Sequence, residues 1–71
     1  MISEIDLKDW ERLDPKPLYN VPPKSWILEP EANMVLWFDH LDGMYSYCTN
    51  DEGVVYHIAG WHVVVPLKEK K

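Results

Sequence analysis

Phe38-Asp39-His40-Leu41-Asp42-Gly43-Met44-Tyr45-Ser46-Tyr47-Cys48-Thr49 decides the fold of this 71-residue chain. Two apolar and aromatic runs flank Asp42-Gly43, the strongest short hairpin signal in the sequence and one that favours a type I′ turn. That turn pairs Leu41 with Met44, His40 with Tyr45, Asp39 with Ser46, Phe38 with Tyr47 and Trp37 with Cys48. Residues directly opposite share a face. Met34, Leu36, Phe38, Tyr45 and Tyr47 are then expected on the core side, with Trp37, Asp39, Ser46 and Cys48 on the other.

Strand signals extend outward from this hairpin. Trp26-Ile27-Leu28 reads as a strand, closed by a Pro30-Glu31-Ala32-Asn33 turn in which Asn tolerates positive φ. Met34 to Leu41 and Met44 to Thr49 form the central pair. Asn50-Asp51-Glu52-Gly53 turns the chain into Val54 to Ile58, and Ala59-Gly60 bends it into Trp61 to Val65. Pro66 is expected to stop the ladder. For the second hairpin, a four-residue loop pairs Thr49 with Val54 and Ser46 with His57, and puts Val54, Tyr56 and Ile58 on the core side. A three-residue loop with a bulge at Gly53 shifts the register by one and reverses the faces. Turn chemistry favours the bulge, but hydrophobic consistency favours the four-residue loop, which is taken as the expectation.

The chain before Ser25 reads differently. Ser3 and Asp6 resemble a capping box, Ile2 and Leu7 a hydrophobic staple, and Leu7, Trp10 and Leu13 a buried stripe. These predict a helix over residues 1–13, ended by Asp14-Pro15. Residues 14–24, with Pro15, Pro17, Pro22 and Pro23, read as an extended strap. Residues 25–67 hold the strands, and 68–71 a frayed tail. The expected fold is mainly β with a short N-terminal helix (α+β), one domain, either an SH3-like small barrel or a five-stranded antiparallel meander. Closure into a barrel removes exposed edges.

Charge constrains the partner. The net charge is −5, and all seven basic residues lie outside 25–67. Within that stretch stand Glu29, Glu31, Asp39, Asp42, Asp51 and Glu52. A phosphate-binding face needs Lys or Arg to release counterions, so direct nucleic-acid binding is not expected. An acidic face suits a protein with a basic surface, or simply keeps a small hydrophobic domain in solution. No long apolar run predicts a membrane span, and no signal peptide is expected. The single cysteine, Cys48, excludes an intramolecular disulfide and fits a reducing cytosol.

Catalysis and cofactors find little support. The expected register aligns Asp39, Ser46 and His57, a triad composition, but no strained nucleophile turn surrounds Ser46. No catalytic residue is assigned. His40, His57, His62 and Cys48 show no zinc-ligand spacing, so no metal and no cofactor is expected. Trp37 and Trp61 are candidate binding anchors, with Asp39, Asp42, Asp51 and Glu52 as a steering rim. In so short a chain such aromatics more often belong to the core.

The pattern Asp42-Gly43-Met44-Tyr45-Ser46, then Gly53-Val54-Val55-Tyr56-His57, then the Val-rich strand ending at Pro66, resembles small accessory proteins encoded by tailed bacteriophages. The likeness covers the C-terminal half and brings no active site with it. It implies an early or host-interaction protein, in the host bacterial cytosol, that binds and redirects a host protein, as a monomer or homodimer. Three alternatives stand beside this protein-binding module. One is an acidic nucleic-acid mimic that inhibits a host DNA- or RNA-binding enzyme. Another is a minor virion structural protein, and the third a hydrolase using Asp39, Ser46 and His57.

Overall fold

A computed structural model describes residues 10–69. Seven antiparallel strands make up the sheet: β1 (Trp10–Arg12), β2 (Lys16–Pro17), β3 (Ser25–Glu29), β4 (Met34–Asp42), β5 (Tyr45–Thr49), β6 (Val55–Tyr56) and β7 (Val63–Glu69). The strand order is β1-β7-β3-β4-β5-β6, with β2 also paired to β7. The two ends of this order do not meet, so the sheet is open and the expected SH3-like barrel is not formed. Nor is it a simple five-stranded meander, because β7 returns to lie between β3 and the N-terminal strands.

The described residues contain no α-helix, only a 3-10 turn at Leu18–Asn20. Most of the predicted helix over 1–13 lies outside the described residues. Its last turn is corrected: Trp10, Glu11 and Arg12 pair with Glu69, Lys68 and Leu67. Glu11 stands opposite Lys68, a favourable cross-strand pair. The first two residues of the expected frayed tail, Lys68 and Glu69, are therefore part of a strand. Pro66 does not stop the ladder but lies buried inside β7, opposite Ile27. Leu13 N–H donates to Pro66 O at 2.9 Å. In an antiparallel pair the return bond would come from the N–H that proline lacks. β1 accordingly ends at Arg12.

The first hairpin pairs Asp42 with Tyr45, Leu41 with Ser46 and His40 with Tyr47, then shifts register to pair Phe38 with Cys48. Gly43 and Met44 form the loop, and only Gly43 has positive φ (64°). That is the type II′ pattern, in place of the expected I′. The register shift is a bulge at Asp39. Strict alternation after Phe38 would turn His40 toward the core. The extra residue lets Asp39 and His40 both face outward. Ser46 and Cys48 are therefore fully buried, while Tyr45 and Tyr47 are exposed. This reverses the expected placement of all four residues.

The second hairpin takes the three-residue loop that hydrophobic consistency disfavoured. Thr49 pairs with Val55 and Cys48 with Tyr56. Gly53 adopts φ 82°. Asn50 Oδ1 accepts from Glu52 and Val54 N–H at 2.9 Å each, which locks the turn. Because β5 faces the opposite way from expectation, Tyr56 and Ile58 still pack on the core. Val54, expected there too, is exposed.

The core comprises Leu18, Val21, Ile27, Leu36, Phe38, Cys48 and Val64. Leu18 and Val21 come from the strap, which covers this face and is tied down by Leu18 N–H to His62 O and Tyr19 N–H to Gly60 O. Ser46 completes the edge. Its Oγ donates to Ile58 O at 2.8 Å and accepts from Ile58 N–H at 3.1 Å. A side chain thus takes over one rung of the β5–β6 ladder. Ser46→Ala should leave both Ile58 groups without partners and lower unfolding free energy by about 2 kcal/mol. Denaturant titration checks this; a shift within about 0.5 kcal/mol is what an exposed serine would give.

Candidate functional site

Gly60 organises the most exposed apolar region. Its N–H donates to Met44 O at 2.8 Å, and its carbonyl accepts from Tyr19 N–H at 2.9 Å. A Cβ at this position would meet Met44 O at 3.4 Å, Leu41 Cδ2 at 3.8 Å and Tyr19 Cβ at 3.9 Å. The bond to Met44 O holds the loop before β7 against the tip of the β4–β5 hairpin, and the bond from Tyr19 ties it to the strap. Tyr19, Leu41 and Met44 border Gly60, Trp61 follows it in the chain, and Tyr45 lies against Trp61, all exposed. Tyr45 is 50% and Trp61 56% exposed, and their rings lie 6.0 Å apart. An isolated exposed apolar side chain is ordinary, but Tyr45 and Trp61 in ring contact, with Met44 beside Tyr45 in the loop, form a patch.

The remaining aromatics of the outer face fall into two groups. Trp26 stands opposite Trp37 in register, with ring centroids 5.0 Å apart, and Trp10 meets Trp26 at 6.4 Å. These rings are only half-buried, yet Leu28 and Leu67 nearby are buried, so this end behaves as a small second core. Next to it, Tyr47 stacks on His40 at 5.5 Å and meets His57 edge-on at 5.5 Å.

The predicted binding residues are only partly brought together. Trp61 joins the exposed patch, whereas Trp37 belongs to the tryptophan group. Asp42 pairs with Tyr45 beside the patch. Asp51 and Glu52 lie exposed in the second hairpin, beyond the far end of β5, roughly 13 Å away along the strand. Asp39 is held by Lys24 Nζ at 2.8 Å and by His40 Nδ1–H at 2.6 Å. Those two bonds bring its carboxyl down from 3.8 to about 2. The acidic rim is thus dispersed, and one member is neutralised.

The triad composition does not assemble. Both main-chain groups of Ile58 engage Ser46 Oγ, and the Cys48 thiol lies 3.3 Å from it. Since the hydroxyl proton goes to Ile58 O, the thiol donates. His57 Nδ1–H donates to the Ser46 carbonyl at 3.0 Å. Asp39 is engaged by Lys24 and His40. Burial pushes the Cys48 thiol up, with the Ser46 contact offsetting part of the effect.

One constellation was not visible in the sequence. Glu29, Glu31 and His62 bring ligand atoms within 4.8 Å of one another. His62 Nε2–H donates to Glu29 Oε2 at 2.7 Å, and Ala32 N–H to Glu29 Oε1 at 2.6 Å. Glu29 is buried at the rim of the core. Burial raises its carboxyl, but hydrogen bonds from His62 and from the Ala32 and Glu31 amides outweigh that and hold it below the usual range.

No protein family matches the chain, and no curated protein or solved structure is significantly similar to it. No helix among the described residues is long and apolar enough to cross a membrane.

The Asp39 cluster makes a direct prediction. Its depressed carboxyl contributes stability above pH 3.8, and this contribution is lost as pH falls toward 2. NMR titration should place the Asp39 midpoint near 2, and Lys24→Met should move it back toward 3.8. A wild-type midpoint already at 3.8 would refute the contact.

Proposed function

We propose that this chain is a small non-catalytic protein-binding module, an accessory protein of a tailed bacteriophage that attaches to a host protein in the bacterial cytosol. The observation that carries the reading is the Tyr45–Trp61 pair, half or more exposed and in ring contact at the hairpin tip. Tyr and Trp supply large contact area at low rotamer cost and dominate interface hot spots. Met44 precedes Tyr45 in the hairpin loop, and Asp42 pairs with Tyr45. The net charge of −5 favours a partner with a basic surface. The phage setting rests on the resemblance of the C-terminal half.

The acidic-mimic alternative draws less support. Of the six acids in 25–67, Asp39 is matched by Lys24 and Glu29 by His62. Glu31, Asp42, Asp51 and Glu52 remain, divided among three separate hairpin ends. A mimic of nucleic acid needs a denser row of charge.

The reading makes Trp61 and Trp37 behave differently. Trp61→Ala or Tyr45→Ala should weaken partner capture from a bacterial lysate by at least ~30-fold, the scale of a hot spot, with thermal stability unchanged. Trp37→Ala should instead lower thermal stability, because its ring packs on Trp26. Capture that survives loss of both Tyr45 and Trp61 would overturn the assignment of this surface.

A further inference from the structure

We propose that Glu29, Glu31 and His62 form a binding site for a divalent transition-metal cation of the zinc class. The three side chains come from two remote segments. Glu29 ends β3, Glu31 lies in the turn that follows, and His62 precedes β7, 33 residues from Glu29. Their donor atoms fall within 4.8 Å of one another. Ligands bound to zinc at ~2.0–2.2 Å stand ~3–4 Å apart around the ion. Binding would draw the donor atoms in from within 4.8 Å, and Glu31, being exposed, is open to that movement.

The donor chemistry selects the metal. One imidazole nitrogen with two carboxylates suits zinc and its neighbours, whereas calcium and magnesium take oxygen alone. Three protein donors match the count of zinc sites that keep a further position for water or another ligand. Glu29 is preorganised for the role. Its carboxylate is buried, and its second oxygen is fixed by the Ala32 amide, the kind of outer contact that orients a ligating carboxylate. Charge points the same way. Among the described residues, His62 is the only basic side chain paired with either glutamate. A divalent ion would balance two carboxylates that one imidazole does not.

The other candidate ligands are differently placed. Cys48 is sealed in the core, and His40 and His57 are separated by the Tyr47 ring, which packs against both. The site adjoins the exposed patch through the chain itself, since His62 follows Trp61. It does not depend on the protein-binding reading.

The test uses untagged full-length chain stripped with chelator. Zinc chloride is titrated by calorimetry, and cobalt(II) serves as the spectroscopic probe. Micromolar binding is expected, with a raised melting temperature and cobalt-induced shifts at His62. Glu31→Gln removes an exposed carboxylate that holds no part of the fold, and should weaken binding at least tenfold. His62→Gln should abolish it, with circular dichroism confirming the fold; if that variant unfolds, Glu31→Gln decides. Asp51→Asn with Glu52→Gln should bind as wild type. Absence of binding up to 1 mM, equal affinity in Glu31→Gln, or shifts centred on His40 would each overturn the site.

Discussion

An extra residue at Asp39, where β4 pairs with β5, sets the two faces of the sheet. Downstream of it His40 and Tyr47 point outward together; upstream Phe38 and Cys48 point inward together. Lys24 reaches across from the segment before β3 to hold the Asp39 carboxylate, and its own amide donates to Phe38 O at 2.8 Å. The bulge is thus braced from both main chain and side chain. With Ser46 and Cys48 as the inward residues of β5, that strand presents only small side chains to the core. The strap residues Leu18 and Val21 complete the same cluster. Had the pairing remained regular, two tyrosines would have occupied those positions.

The consequence for function lies in where the rings go. Phe38 and Tyr56 serve the core side. The four tryptophans meet the outer side, three as a half-buried group and one with Tyr45 in the open. A chain this short is expected to need its aromatics for stability. Trp10, Trp26 and Trp37 meet that need by covering the outer surface of the sheet. Tyr45 and Trp61 are left to solvent by a loop that the Gly60 N–H ties to Met44 O at the hairpin tip.

The sequence disclosed where strands begin and end better than how they pair. Asp42-Gly43, Asn50-Asp51-Glu52-Gly53 and Pro30-Glu31-Ala32-Asn33 each mark a real turn, and Leu36 and Phe38 are core residues as expected. The bulge escaped because its support comes from Lys24, 15 residues away from Asp39. The error at Asp39 then propagated into the second hairpin. Asn50 and Gly53 signalled the correct loop, but a reversed β5 made it look hydrophobically wrong. β1 escaped because capping-type residues before Trp10 suggested a helix, while its partner strand lies 55 residues on. Of the proposed site residues, Trp61 was legible as a large ring after a tight bend. Tyr45 was not, since its exposure follows from the bulge, and Glu29 with His62 meet only through the tertiary fold.

The burial of Cys48 also bears on the chemical surroundings in which the chain can work. Its sulfur has no exposed surface, sits against Ser46 Oγ, and is kept protonated by its apolar setting. A thiol so placed offers oxidants no thiolate and other chains no cross-link. Cys48 is therefore not a group through which redox conditions reach the fold: it needs no reducing medium to stay unpaired and offers no disulfide in an oxidising one.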